Sequence, residues 1–99
     1  MALNFRQGEE FDPCSCISFI KSKMGRFEPL GYPNIMIPNA EIPWPGYAVL
    51  TDEGPYGHIA LILHIEGSNL LISEANYQPC KVSTRSLDIS DPRIRGFWY

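Results

Sequence analysis

Four residues of this chain have the types and the order that catalysis by a cysteine thiol needs: Cys16, His58, Glu74 and Asn76. A cysteine becomes a nucleophile when an imidazole takes its proton and a carboxylate or amide orients that imidazole. Cys14 and Cys16 lie in the stretch 13–25, which has the proline, the apolar spacing and the terminal glycine of a short helix. A helix start is one of the places where a protein can lower a cysteine pKa.

The histidine and the two later residues fall on neighbouring predicted strands. His58 opens an apolar run, and Glu74 and Asn76 lie in the next run, 70–77. The turn at 66–69 joins the two runs as an antiparallel hairpin, and positions 58 and 76 are nearly equidistant from it. Because alternate residues share a face of a strand, this register predicts His58 beside Glu74 and Asn76. A helix packed on the sheet can then bring a first-turn cysteine to the imidazole.

The remaining segments predict an α+β fold with one domain, residues 1–99. Prolines punctuate residues 26–46, which we expect to form a long loop with at most one short helical turn. Further short strands are expected at 47–51, 82–85 and 94–99. The order is one helix followed by an antiparallel meander.

Composition limits the classes of function. The chain has 99 residues, 44% of them apolar, and a formal charge of −3 with no basic run. A globular domain is therefore expected, and a phosphate-facing nucleic-acid surface is not. No stretch approaches the roughly 20 apolar residues of a membrane span, and the first residues do not form a signal peptide. The three cysteines are an odd number, so at least one thiol is unpaired unless it bonds another chain.

The ordered set of motifs resembles the CHAP family, the cysteine, histidine-dependent amidohydrolases and peptidases. The matching pieces are Cys16 to Gly25, Pro45-Gly46 before a strand, Gly57-His58 opening a strand, Glu74 to Tyr77, and Ile94 to Phe97. The resemblance covers roughly residues 12–97. It implies a papain-like fold of the NlpC/CHAP type, in which an N-terminal helix packs on a small antiparallel sheet.

The resemblance also implies a role for each residue of the set. Cys16 corresponds to the nucleophile, and His58 corresponds to the general base that later acts as the acid. Glu74 corresponds to the residue that orients the imidazole, and Asn76 to its polar companion. The backbone N–H of Cys16, at the helix start, is the implied oxyanion donor.

Members of the family cut peptidoglycan, as N-acetylmuramoyl-L-alanine amidases or as endopeptidases, and many are phage lysins or bacterial autolysins. We therefore expect a monomeric cysteine hydrolase that needs no cofactor or metal. It would act on the cell wall as a phage lysin, a virion-associated enzyme or a secreted enzyme. Four aromatic residues are expected to line the substrate groove, although each could equally be a core or lid residue: Trp44, Tyr47, Tyr56 and Tyr77.

Several alternatives stay open for individual residues. Cys14 is a rival nucleophile, because a Cys-Ser pattern also occurs in the related NlpC-type peptidases, and it could instead pair with Cys80. His64 is expected to be structural. The chain lacks the Cys-x-x-Cys or paired-histidine spacing of a zinc site. The acidic residues before the helix do not reproduce the family's calcium loop: Glu9, Glu10 and Asp12.

Two other classes of function compete with the wall hydrolase. The first is a papain-like virion-structural or binding module without catalysis, and the intact set of four residues argues against it. The second is a thiol hydrolase of a non-wall amide, such as a small peptide or an amidated metabolite. The scissile bond itself has no signal in the sequence.

Overall fold

A computed structural model describes residues 11–26, 28 and 30–99 of the chain. Within them lie one α-helix, a 3₁₀ turn at Pro33–Ile35, and five strands. The elements are α1 (Cys16–Met24), β1 (Ala48–Thr51), β2 (His58–Glu66), β3 (Asn69–Ala75), β4 (Val82–Asp88) and β5 (Ile94–Trp98). The strands form one antiparallel sheet in the order β4-β3-β2-β1-β5. The predicted α+β class and element order are confirmed. No helix in this part of the chain is long and apolar enough to cross a membrane.

Side-chain capping fixes where α1 begins. The Ser15 hydroxyl accepts a hydrogen bond from the Ser18 N–H at 3.1 Å, and the Ser18 hydroxyl accepts one from the Asp12 N–H at 2.9 Å. The first of these bonds satisfies one of the N–H donors that the first helical turn leaves unpaired, and the second ties the preceding segment to that turn. Gly25 ends the helix in the left-handed conformation, as its spacing predicted. Cys16 is therefore the first helical residue.

The β2–β3 hairpin has the register that its spacing predicted near the candidate site. Leu61 pairs with Ser73 and Ile62 with Ile72, so position 58 aligns with position 76. Closer to the turn the register shifts between Ile62 and His64. A bulge of this kind reverses the alternation of faces beyond it. His64 consequently lies exposed on the far side of the irregularity.

The sheet curls strongly, because its two edge strands are joined by a short connection. Residues 89–93 link β4 to β5, and they contain two turns, from Asp88 to Asp91 and from Asp91 to Ile94. Each turn spans less than about 7 Å. A flat five-stranded sheet would separate its edges by roughly 19 Å. The two edge strands are therefore closer together at this end than in a flat sheet.

Two apolar clusters lie on opposite faces of the curled sheet. The cluster under α1 contains Phe19, Ile20, Met36, Ala48, Leu50, Ile59, Ala75 and Trp98. The cluster inside the curl contains Val49, Ala60, Ile62, Leu70, Ile72, Leu87 and Phe97. By the alternation of each strand, His58, Glu74 and Arg85 belong to the inner face. These three polar side chains therefore lie at one end of the inner face, next to the apolar cluster.

The tight packing around Gly57, directly before His58, leads to a prediction about the free energy of unfolding. Its φ is +76°, and a Cβ at this position would lie 2.7 Å from the backbone nitrogen of Asn34. Gly54 has a φ of +75° and open space around it, so it isolates the backbone cost. We expect Gly54→Ala to cost about 1 kcal/mol and Gly57→Ala roughly 2–4 kcal/mol. Urea unfolding of both variants measures the difference, and equal costs would contradict a tight contact at Gly57.

Candidate active site

His58 and Glu74 form a buried side-chain pair. The distance between His58 Nε2 and Glu74 Oε1 is 2.8 Å, and the Glu74 side chain is fully shielded from solvent. The two residues lie diagonally across the β2–β3 hairpin, where the register places them. The structure therefore brings together the predicted imidazole and its predicted carboxylate.

Cys16 reaches the same imidazole from the start of α1. It is half-buried, lines the same cleft as His58, and is close enough to the imidazole to raise its pKa. Because Nε2 of His58 faces Glu74, Nδ1 is the ring nitrogen left for the sulfur. Burial lowers the pKa of His58, but hydrogen bonds to Cys16 and Glu74 and the negative charges of both outweigh it. The pKa of His58 rises to about 9. A charged imidazolium is thus stabilised beside the sulfur.

A disulfide between Cys14 and Cys80 settles which of the two neighbouring cysteines is free. Of the alternatives open for Cys14, the structure shows the pairing with Cys80. The bond ties the segment before α1 to the turn between β3 and β4. Cys16 is therefore the free thiol, and the residue two positions before it is covalently fixed.

Asn76 takes a different position from the one its strand parity predicts. The strand ends at Ala75, and Asn76 has a φ of +65°, so the chain turns away there. Its side-chain oxygen accepts a hydrogen bond from the Cys80 N–H at 2.8 Å. Asn76 lines the cleft, but its amide oxygen holds the β3–β4 turn. This is a common use of asparagine in turns.

An arginine that the sequence analysis missed lies behind Glu74. Arg85 Nε donates to Glu74 Oε2 at 2.7 Å, and its Nη2 donates to Glu53 Oε1 at 2.6 Å. Arg93 also donates to Glu53. The available signal was the alternation within β4, where Arg85 shares a face with the inward-pointing Leu87. That alternation did not single out Arg85, because the sequence predicted a strand that ends at residue 85 and so leaves out Leu87.

The site opens into a cleft of about 900 Å³ with mainly aromatic and apolar walls. Cys16 and His58 line it, together with the predicted Tyr56 and Tyr77. Tyr32, which was not predicted, lines it as well and stacks on Tyr56 with ring centroids 4.6 Å apart.

The structure does not bring the other two predicted aromatic residues to this cleft. Tyr47 directly precedes β1. The site lies near the other end of this strand, where Thr51 pairs with His58. Its ring stacks on Tyr99 instead. Trp44 is exposed in the loop before Tyr47 and is not part of the cleft wall.

Residues 11–26, 28 and 30–99 contain no cluster of three or more histidine, cysteine or acidic side chains able to hold a metal ion. Glu9 and Glu10, considered above for calcium, lie outside the described residues. Asp12 instead accepts a hydrogen bond from the Cys14 N–H at 2.9 Å.

Comparison with known proteins gives a likeness to solved structures. No family model and no curated protein matches the chain. Among solved structures, the chain is similar to Ly7917, with a TM-score of 0.50 and 20% identity. The match covers 59% of this chain and 28% of Ly7917, so this chain corresponds to a minor part of that protein. At this identity the likeness supports the fold alone.

The pKa of His58 predicts a pH-dependent contribution to stability. A pKa raised from 6.5 to about 9 on folding stabilises the native state fully below pH 6.5. That contribution disappears as pH rises through about 9, and it amounts to roughly 3 kcal/mol. Denaturant unfolding of the wild type and of His58→Gln across this range measures it. Parallel pH profiles for the two proteins would show that His58 has no raised pKa.

The disulfide predicts a large effect of reduction on stability. Cys14 and Cys80 are 66 residues apart, and closing a loop of that length stabilises a fold by about 4 kcal/mol. We expect Cys14→Ser/Cys80→Ser to unfold at correspondingly lower denaturant concentration. The control is Cys16→Ser, which leaves the bond intact. Finding more than one reactive thiol in the unfolded, unreduced wild type would contradict the assignment.

Proposed function

We propose that this chain is a cysteine hydrolase of peptidoglycan amide or peptide bonds, with a papain-like fold of the CHAP type. The observation that carries the proposal is the free Cys16 at a helix start, in the same cleft wall as His58 and close enough to raise the pKa of its imidazole. His58 in turn contacts the buried carboxylate of Glu74. Nucleophile, base and orienting group are thus in contact in the order that acyl transfer needs.

The first half of the reaction forms a thioester. The Cys16 thiolate attacks the substrate carbonyl carbon, and the negative charge moves to the carbonyl oxygen. The Cys16 N–H, one of the first-turn donors without an intrahelical acceptor, is placed to stabilise that charge. The His58 imidazolium then donates its Nδ1 proton to the leaving amine as the carbon–nitrogen bond breaks.

The second half of the reaction releases the acid. Neutral His58 takes a proton from a water molecule, and the resulting hydroxide attacks the thioester carbonyl. The carbon–sulfur bond breaks, the product leaves as a carboxylic acid, and the thiolate–imidazolium pair is restored. Each proton that His58 gives to the amine is thereby recovered from water.

The wall substrate is supported by the resemblance of the ordered motifs to the CHAP family and by the form of the cleft. An open cleft with tyrosine walls suits an extended peptide, whose backbone and small side chains can pack against the rings. The proposed enzyme acts on the wall as a phage lysin, a virion-associated enzyme or a secreted enzyme. The proposal requires no cofactor.

A non-catalytic module is the weaker alternative. Burying a histidine–carboxylate pair costs desolvation energy, and an apolar pair of similar size would stabilise such a module at least as well. The buried His58–Glu74 pair beside a free thiol therefore favours chemistry over a structural use.

Substitution of the site residues tests the enzyme directly. We expect Cys16→Ala and His58→Ala to lower the clearing of purified cell walls by a factor of a thousand or more, roughly the cost of losing a catalytic triad member. His64→Ala is the matched control, because it removes an exposed histidine from the same strand. Full clearing by a folded Cys16→Ala variant would refute the proposal.

The same digests identify the bond. Mass spectrometry of the released muropeptides would show new termini at the N-acetylmuramoyl-L-alanine amide or within the peptide. Intact muropeptides, together with Cys16-dependent hydrolysis of a small amide, would move the enzyme to the non-wall class.

A further inference from the structure

Glu74 has two partners, and they hold it from opposite sides. His58 contacts Oε1 at 2.8 Å. Arg85 donates to Oε2 through Nε at 2.7 Å and to Oε1 through Nη2 at 3.2 Å. The carboxylate is fully buried, so these side chains replace the water that would otherwise solvate it. A two-pronged contact of this kind sets the rotation of a carboxylate as well as neutralising it.

Arg85 is itself held by a second carboxylate. Nη1 donates to Glu53 Oε2 at 3.0 Å, and Nη2 donates to Glu53 Oε1 at 2.6 Å. Glu53 also accepts hydrogen bonds from the Thr51 hydroxyl at 2.8 Å and from Arg93 at 3.0 Å. The guanidinium plane is thus fixed between two acids, an arrangement that a lysine cannot reproduce with one ammonium group.

Tyr77 covers this contact on the cleft side. Its ring centroid lies 3.8 Å from the guanidinium carbon of Arg85 and 6.0 Å from the centroid of the His58 ring. Stacking on an aromatic face keeps water from the guanidinium and limits its motion. The groups that face His58 are then Cys16 from α1, Glu74 from β3 and Tyr77 from the following turn.

We propose that Arg85 is the positioning residue of this site, and that its fork holds Glu74 with Oε1 directed at His58 Nε2. It touches neither the sulfur nor the expected substrate position, so it acts through Glu74. This fixes the imidazole with Nε2 on the carboxylate and Nδ1 toward Cys16. The inference rests on the proposed function in that it treats the Cys16–His58 pair as the reacting pair.

Without the fork, two features of the site change together. Glu74 keeps one partner instead of two and can rotate about its terminal bond. Glu53 and Glu74 also lose the cation between them. The His58 ring is then no longer held in one orientation, and Nδ1 is less often aligned to take the proton of the Cys16 thiol.

The test compares Arg85→Met with Arg93→Met by proton NMR. A buried Nε2–H that donates to a carboxylate gives a sharp, downfield, slowly exchanging signal. We expect this signal in the wild type, its loss in Arg85→Met, and its retention in Arg93→Met. Arg93 is the matched control, because it also binds Glu53 but is about half exposed and pairs with Asp91. A merely structural role of Arg85 would lower stability without removing the signal from the folded protein.

A second readout follows the thiol. We expect the rate of Cys16 alkylation by iodoacetamide near neutral pH to fall roughly tenfold in Arg85→Met and to stay unchanged in Arg93→Met. Neither readout needs a substrate, so both test the positioning role even if the wall substrate is wrong. Conversely, a wall-inactive protein with normal signals would count against the proposed function alone.

Arg85→Lys keeps the test decisive if Arg85→Met does not fold. Lysine keeps one positive charge but cannot bond both carboxylates in the guanidinium geometry. We expect this variant to fold and still to lose the downfield signal. A wild-type signal and wild-type alkylation in either folded Arg85 variant would overturn the inference.

Discussion

The burial of the Glu74 carboxylate is the constraint on which the rest of this structure depends. A carboxylate without solvent must be neutralised and hydrogen-bonded by protein groups. His58 and Arg85 supply those groups from the two strands on either side of β3, and Glu53 completes the charge balance from the loop after β1. A flat sheet would hold β4 far from that loop. The curl of the sheet brings the two together and so permits a buried charge network at its open end.

The imidazole and the thiol are positioned by different means. His58 depends on the hairpin register and on the tight backbone contact at Gly57. Cys16 depends on the Ser15 cap and on the disulfide of Cys14 with Cys80. The disulfide also fixes the turn that carries Tyr77. The imidazole and the thiol therefore meet at the cleft, although separate parts of the chain position them.

The sequence predicted the features that depend on local spacing. The end of the helix follows from Gly25, and the His58–Glu74 contact follows from strand parity and the turn between the strands. Features set by the whole sheet were not predictable in this way. Arg85 lies diagonally across from Glu74 on the neighbouring strand, but it reaches Glu53 because the sheet curls, and the bulge between Ile62 and His64 changes which face the later residues of β2 occupy. Trp98, in the edge strand β5, is buried in the cluster under the helix, and Arg26 stacks on it.

The charge balance of the site also explains how one histidine could serve first as an acid and then as a base. In the resting site, the hydrogen bond and negative charge of Cys16 are among the causes that raise the pKa of His58. Under the proposed chemistry, attack on the carbonyl bonds that sulfur to carbon and leaves it neutral in the tetrahedral intermediate, which removes both causes while burial continues to lower the pKa. His58 then gives up its proton more readily at the moment when the leaving amine needs it. The neutral imidazole that remains, still held by Glu74, is the form that can activate water. Arg85 also binds the Glu74 carboxylate and offsets part of its negative charge. Glu74 can therefore orient the ring without holding the imidazolium too strongly for the proton to leave.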